Sequence, residues 1–121
     1  MDEAEAFIRQ RIEKQFLASQ AHGHDVIRER LFRIVEFADG LFAFHLGSGY
    51  DSWPDTPVCV FYAKETDRGL TYFGDQQLCR ACSGVPIPGS AACEQCKGIG
   101  WIHGHGEDVT SAGKPQSTRE F

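Results

Sequence analysis

Phe32-Arg33-Ile34-Val35-Glu36-Phe37-Ala38-Asp39-Gly40-Leu41-Phe42-Ala43-Phe44 is the stretch whose reading decides the fold. Two readings compete. Ile27, Leu31, Ile34, Val35 and Ala38 recur at helical intervals, with Asp25 placed to cap them. Asp39-Gly40 is instead a two-residue type I′ hairpin signal. Folding the chain there sets Ala38 against Leu41, Phe37 against Phe42 and Val35 against Phe44. The face Val35, Phe37, Phe42, Phe44 then becomes apolar throughout, and phenylalanines directly across strands stabilise a sheet. A helix would leave Phe32 and Phe37 off its stripe. The hairpin accommodates more of the apolar residues and is preferred; the helical spacing within residues 26–38 stays open.

The segments on either side give this hairpin something to build on. Residues 2–22 read as an amphipathic helix, with Asp2 and Glu5 as a capping-box-like start, Ala4, Ile8, Ile12 and Phe16 at intervals of four with Leu17 beside them, and Gly23 as the stop. Gly47–Pro57 is a loop of turn residues, Val58–Ala63 a strand, Lys64–Gly69 a polar turn and Leu70–Phe73 a short return strand. The expected fold class is α+β. Residues 1–75 form a helix on a small antiparallel sheet, residues 76–103 a separate module, and residues 104–121, poor in anything to bury, a flexible tail.

Composition bounds the function. The chain has 121 residues, 41% hydrophobic and 24% charged, which is ordinary for a globular domain. No apolar run approaches the ~18 residues of a membrane helix. The acidic start Met-Asp-Glu-Ala-Glu has no apolar segment of the secretory kind, so a cytoplasmic location is expected and no membrane partner. The net charge of −5 argues against a bare nucleic-acid binder, which ordinarily reads basic.

The five cysteines are Cys59, Cys79, Cys82, Cys93 and Cys96, and the last four form C-x2-C-x10-C-x2-C. In a reducing compartment such thiols are metal ligands before they are disulfides. Two residues between cysteines let one knuckle of chain offer two thiolates to one ion, and two knuckles complete a tetrahedral zinc shell with Zn–S near ~2.3 Å. Gly84, Pro86, Pro88, Gly89 and Ser90 between the pairs are turn formers. Cys79, Cys82, Cys93 and Cys96 are therefore expected to hold one structural Zn2+. A redox dithiol is the other reading, but neither pair is followed by the helical periodicity a thioredoxin-like site needs.

Cys79-Arg-Ala-Cys82-Ser-Gly84 reads CxxCxG, and Cys93-Glu-Gln-Cys96-Lys-Gly98-Ile-Gly100 reads CxxCxGxG. Over residues 78–103 this resembles the cysteine-rich zinc module of DnaJ-type chaperones, a β-hairpin-like structure in which a pair of repeats holds each zinc. A similar pair occurs in the anti-TRAP family, which binds and blocks a tryptophan-sensing RNA-binding protein. The resemblance implies metal roles for the four cysteines and turn roles for Gly84, Gly98 and Gly100. Two repeats imply one zinc. Pro86 stands where the first repeat's final glycine belongs, and no His-Pro-Asp tripeptide marks a J-domain. The module serves protein contacts in several settings, so it implies a scaffold and not one function.

The remaining candidates are weaker. Cys59, inside Val-Cys-Val-Phe, reads as a core residue; as a nucleophile it would need His45 as its base. His-Gly-His occurs at His22–His24 and again at His103–His105, and either could add a metal ligand. Trp53 and Trp101 read as packing between sheet and module, with Trp101, Ile99 and Ile102 as an apolar edge for a peptide in the sharper version. Tyr50, Asp51 and Asp55 read as a solvated loop. With no catalytic constellation, the expected function is a non-enzymatic adaptor, inhibitor or chaperone-like factor that binds another protein or peptide, with self-association through the sheet possible. A nucleic-acid-associated regulator, a thiol–disulfide oxidoreductase and a toxin-immunity-type inhibitor are the alternatives.

Overall fold

Asp2 caps the first element: its Oδ1 accepts the Glu5 backbone N–H at 2.9 Å, and α1 runs Glu3–Ala21. The bond satisfies one of the amides a helix start leaves open. Glu5 does not close the capping box; it pairs with Arg9 at 2.8 Å. At the far end Gly23 takes φ +80 and its N–H donates to the Gln20 carbonyl at 3.0 Å, the left-handed stop expected of it. The structure is a computed structural model and describes residues 2–23, 28–47, 57–78, 101–106 and 114–121.

Among the described residues one α-helix and a six-stranded antiparallel sheet make the fold α+β. The strands are β1 (Arg30–Glu36), β2 (Leu41–Gly47), β3 (Cys59–Thr66), β4 (Gly69–Leu78), β5 (Trp101–Gly106) and β6 (Ser117–Glu120), in the order β5-β4-β3-β2-β1-β6. Ala4, Ile8 and Ile12 of α1 are buried in one cluster with Leu31, Ile34, Phe44, Leu46, Phe61 and Ala63. Phe7 adds tilted ring contacts, its centroid 5.9 Å from Phe44 and 6.2 Å from Phe61. The expected stripe is cut short. Phe16 is only partly buried, beneath the Arg28 guanidinium at 4.0 Å, and Leu17 is 52% exposed, because the last turns of α1 run past this cluster. No helix among the described residues is long and apolar enough to cross a membrane.

Residues 30–36 are strand, and the hairpin forms at Asp39-Gly40 with a register one residue away from the expected one. Ala38–Gly40 make a 3₁₀ turn with Asp39 at φ 63 and Gly40 at φ 73, and the Phe37 N–H donates to the Leu41 carbonyl at 2.8 Å. Glu36 thus faces Phe42, Val35 faces Ala43 and Ile34 faces Phe44. A shift of one residue moves side chains to the other face. Phe42 and Phe44 lie under α1, whereas Val35 and Phe37 join Leu41, Ala43, Val60, Tyr62 and Phe73 in a second cluster on the opposite face. The helical spacing of Leu31 and Ile34 also has a cause. The β1–β2 register shifts between Leu31 and Arg33, a bulge at Phe32, so two residues three apart reach the same face.

The strands extend beyond their expected limits. β4 continues to Leu78, past the expected boundary at residue 75, and pairs with β5. The expected flexible tail from residue 104 is corrected at two places: residues 104–106 complete β5, and Ser117–Glu120 pair with β1. Sequence composition misses β6 because all of its residues are exposed; backbone bonds and charge hold it, with no buried side chain.

Ile8, 0% exposed, and Leu17 form a contrasting pair on one helix. Ile8→Ala is expected to lower the unfolding free energy by about 2–5 kcal/mol, and Leu17→Ala by less than about 0.5 kcal/mol, both read from urea denaturation followed by circular dichroism.

Candidate metal centre

Cys79, Cys82, Cys93 and Cys96 lie outside the described residues, as do Tyr50, Asp51, Trp53, Asp55 and Ile99. The strands that lead into and out of the cysteine segment are described. β4 ends at Leu78, β5 begins at Trp101, and the two are register partners. Cross-strand partners in an antiparallel ladder lie about 4.5–5.5 Å apart. β4 therefore ends and β5 begins at one place on the sheet.

The polar side chains at this end of β4 form two separate groups, one on each face of the sheet. Asp75 on β4 accepts the Tyr72 hydroxyl at 2.8 Å through Oδ2 and the His105 backbone N–H at 3.1 Å through Oδ1. Partial burial and this bond to the carboxylate push the Tyr72 phenol up to about 12, so it stays a donor at neutral pH. On the other face Gln76, 6% exposed, accepts the buried Tyr62 hydroxyl at 3.1 Å. Among the described residues no buried side-chain nitrogen or oxygen lacks a partner.

The second His-Gly-His motif owes its glycine to Asp75, and Gly106 after it owes its place to the β4 backbone. The β4–β5 register shifts between Gly74 and Gln76, which brings the carboxylate against β5. A Cβ at Gly104 would land on Asp75 Oδ1, and one at Gly106, at φ +73, would sit 2.6 Å from the Phe73 carbonyl oxygen. The histidines themselves are exposed: His103 faces Gln76 in register, and His105 Nδ1 lies 3.5 Å from Asp75 Oδ1. In the first motif His22 caps α1 and His24 lies outside the described residues. Among the described residues no group of three or more His, Cys, Asp or Glu side chains is placed to hold a metal ion.

Cys59 and His45 are not brought together. Leu46 faces Cys59 and His45 faces Val60 in the β2–β3 register, which sends the two side chains to opposite faces of the sheet. Burial, reinforced by the Glu29 and Asp75 carboxylates, pushes the Cys59 thiol up to about 11, where it remains protonated and unreactive at neutral pH. Burial, with the Arg33 guanidinium, pulls His45 down to about 4 against the opposing pull of Glu120. Sequence reasoning missed Tyr72, Asp75 and Gln76 as the polar groups that hold the end of β4. The signal was present in the alternating glycines of His103-Gly104-His105-Gly106, which mark a close backbone approach and not only a turn.

No family model matches the chain, and comparisons with curated proteins and with solved structures give no match.

Two outcomes follow from this geometry. Gly106→Ala is expected to speed hydrogen exchange at the Ile102 and His103 amides by more than tenfold while the amides of Phe44 and Phe61 stay protected, read by two-dimensional NMR. The His45 effect has a definite sign. The folded value of about 4 lies below the ordinary 6.5, so as pH falls below 6.5 the unfolded chain takes a proton that the folded chain refuses. Stability is retained above 6.5 and lost progressively toward about 4, and His45→Gln should flatten the urea midpoint over that window.

Proposed function

We propose that this chain is a small zinc protein that acts through protein–protein contact, with Cys79, Cys82, Cys93 and Cys96 as the ligands of one structural Zn2+. The observation that carries the reading is the paired Leu78 and Trp101 at the two ends of a segment spelling CxxCxG and CxxCxGxG. Four thiolates form a soft, closed donor set that suits tetrahedral zinc and leaves no open position for a substrate. A short segment rich in glycine and proline has little apolar surface to bury, so an ion supplies the cohesion that packing does not. Binding of structural zinc in short peptides is worth on the order of 10 kcal/mol. The role of the ion in this reading is architectural, and the product is a surface for a partner protein or peptide in a reducing compartment such as the cytoplasm.

The charge distribution bears on the partner. The first 75 residues carry the whole net charge of −5, and residues 76–121 are balanced. A phosphate backbone would meet repulsion from the sheet, which favours a protein or peptide partner over nucleic acid.

The purified chain should contain one zinc per molecule by elemental analysis, released on titration with a mercurial. Cys79→Ser and Cys93→Ser should each abolish stoichiometric metal, and Cys59→Ser should leave it unchanged. Chelation should alter the NMR signals of residues 79–100 and spare those of α1. Metal-free protein with five titratable thiols would overturn the reading.

A further inference from the structure

β6 is joined to the sheet by its backbone and by polar contacts. Ser117–Glu120 and Phe121 are all exposed and add nothing to either apolar cluster. Backbone bonds hold the strand on the β1 edge: Gln116 N–H donates to the Glu36 carbonyl at 2.7 Å and Phe121 N–H to the Phe32 carbonyl at 2.8 Å. A matched set of polar contacts gives the register. Arg119 pairs with Asp2, Glu120 with Arg33 at 3.3 Å, and the Ser117 hydroxyl donates to Glu36 at 3.3 Å. The Arg9 guanidinium lies 5.7 Å from the centre of the Phe121 ring. The seam with α1 is not filled: a cavity of about 290 Å³ lies there, lined by Asp2, Glu3, Ala4, Glu36, Phe42 and Arg119.

We propose that the β1 edge is a strand-exchange interface, on which β6 of a second copy of this chain seats reciprocally in place of the chain's own. Three observations select this occupant. Every copy carries the complementary order of charges, so exchange preserves each contact, which makes it a low-cost route to a dimer. Removing β6 exposes no apolar cluster, so the rest of the sheet survives without it. The length of chain also allows it. β5 and β6 lie at opposite edges, five strand spacings or about 24 Å apart, and residues 107–116 can reach about 33–36 Å when extended, enough for the chain's own β1 or a neighbour's. The interface depends on the sheet and not on the metal.

A charge-swap experiment on the full chain tests it. One variant carries Arg33→Glu with Glu36→Lys, which repels its own Glu120. The other carries Ser117→Glu with Glu120→Arg, which repels its own Glu36 and Arg33. Mixed, each strand meets a compatible edge only on the other chain. The expected result by light scattering is one-chain mass for each variant alone and a shift to twice that mass for the equimolar mixture, persisting in chelator; the chain with all four substitutions should behave as wild type. A mixture that stays at one-chain mass, or a dimer that dissolves when zinc is removed, overturns the exchange. Should the variants lose their helical signal, donor- and acceptor-labelled wild-type chains serve instead. Energy transfer should rise with concentration and be abolished by excess peptide spanning residues 116–121, and its absence up to the solubility limit overturns the proposal.

Discussion

The hydrogen bond between the Phe37 amide and the Leu41 carbonyl sets the parity of the sheet. Strand side chains alternate with a period of two, so the residue that closes the first hairpin decides which face each β2 residue takes relative to β1. Closure at Phe37 and Leu41 puts Phe42, Phe44 and Leu46 beneath α1, in reach of Ala4, Ile8 and Ile12. Through the β2–β3 register it also puts Phe61 and Ala63 beneath the helix and sends Val60 and Tyr62 to the other side. A sheet with apolar residues on both faces leaves polar groups there few partners, and the buried pair Tyr62–Gln76 shows how one is satisfied.

The sequence was most legible where local chemistry and periodicity agree. The Asp2 cap, the Ala4-Ile8-Ile12 stripe, the Gly23 stop and the Asp39-Gly40 turn are each written in adjacent residues, and all appear in the structure. What escaped has physical causes. The hairpin loop takes Ala38 as a third residue, and nothing in Asp39-Gly40 itself distinguishes that turn from the two-residue one. The bulge at Phe32 gives a strand a helix-like interval. β6 escaped for a different reason. Its stability comes from a partner strand more than eighty residues distant in sequence, whereas composition reports only what a segment can bury by itself. The metal ligands rest on spacing alone, since the segment that contains them lies outside the described residues.

The polar contacts at the end of β4 make sense of an otherwise unusual strand. β5 is short, glycine-rich and at an edge, a poor strand by propensity. Asp75 compensates by binding the β5 backbone directly; Gly104 lets its carboxylate approach and Gly106 lets the β4 backbone do so. The strand that follows the cysteine segment is thus held by its backbone ladder to β4 together with the Asp75 carboxylate.

Strand order has a geometric consequence. β5, which follows the cysteine segment in sequence, and β6 are the two edges of one sheet, with four strands between them. Two chains that exchange β6 would each keep β5 at the far edge of their own sheet, so the assembly would carry two copies of that edge. Such an assembly is divalent, and a target with two matching sites would be held by avidity far exceeding that of either contact alone.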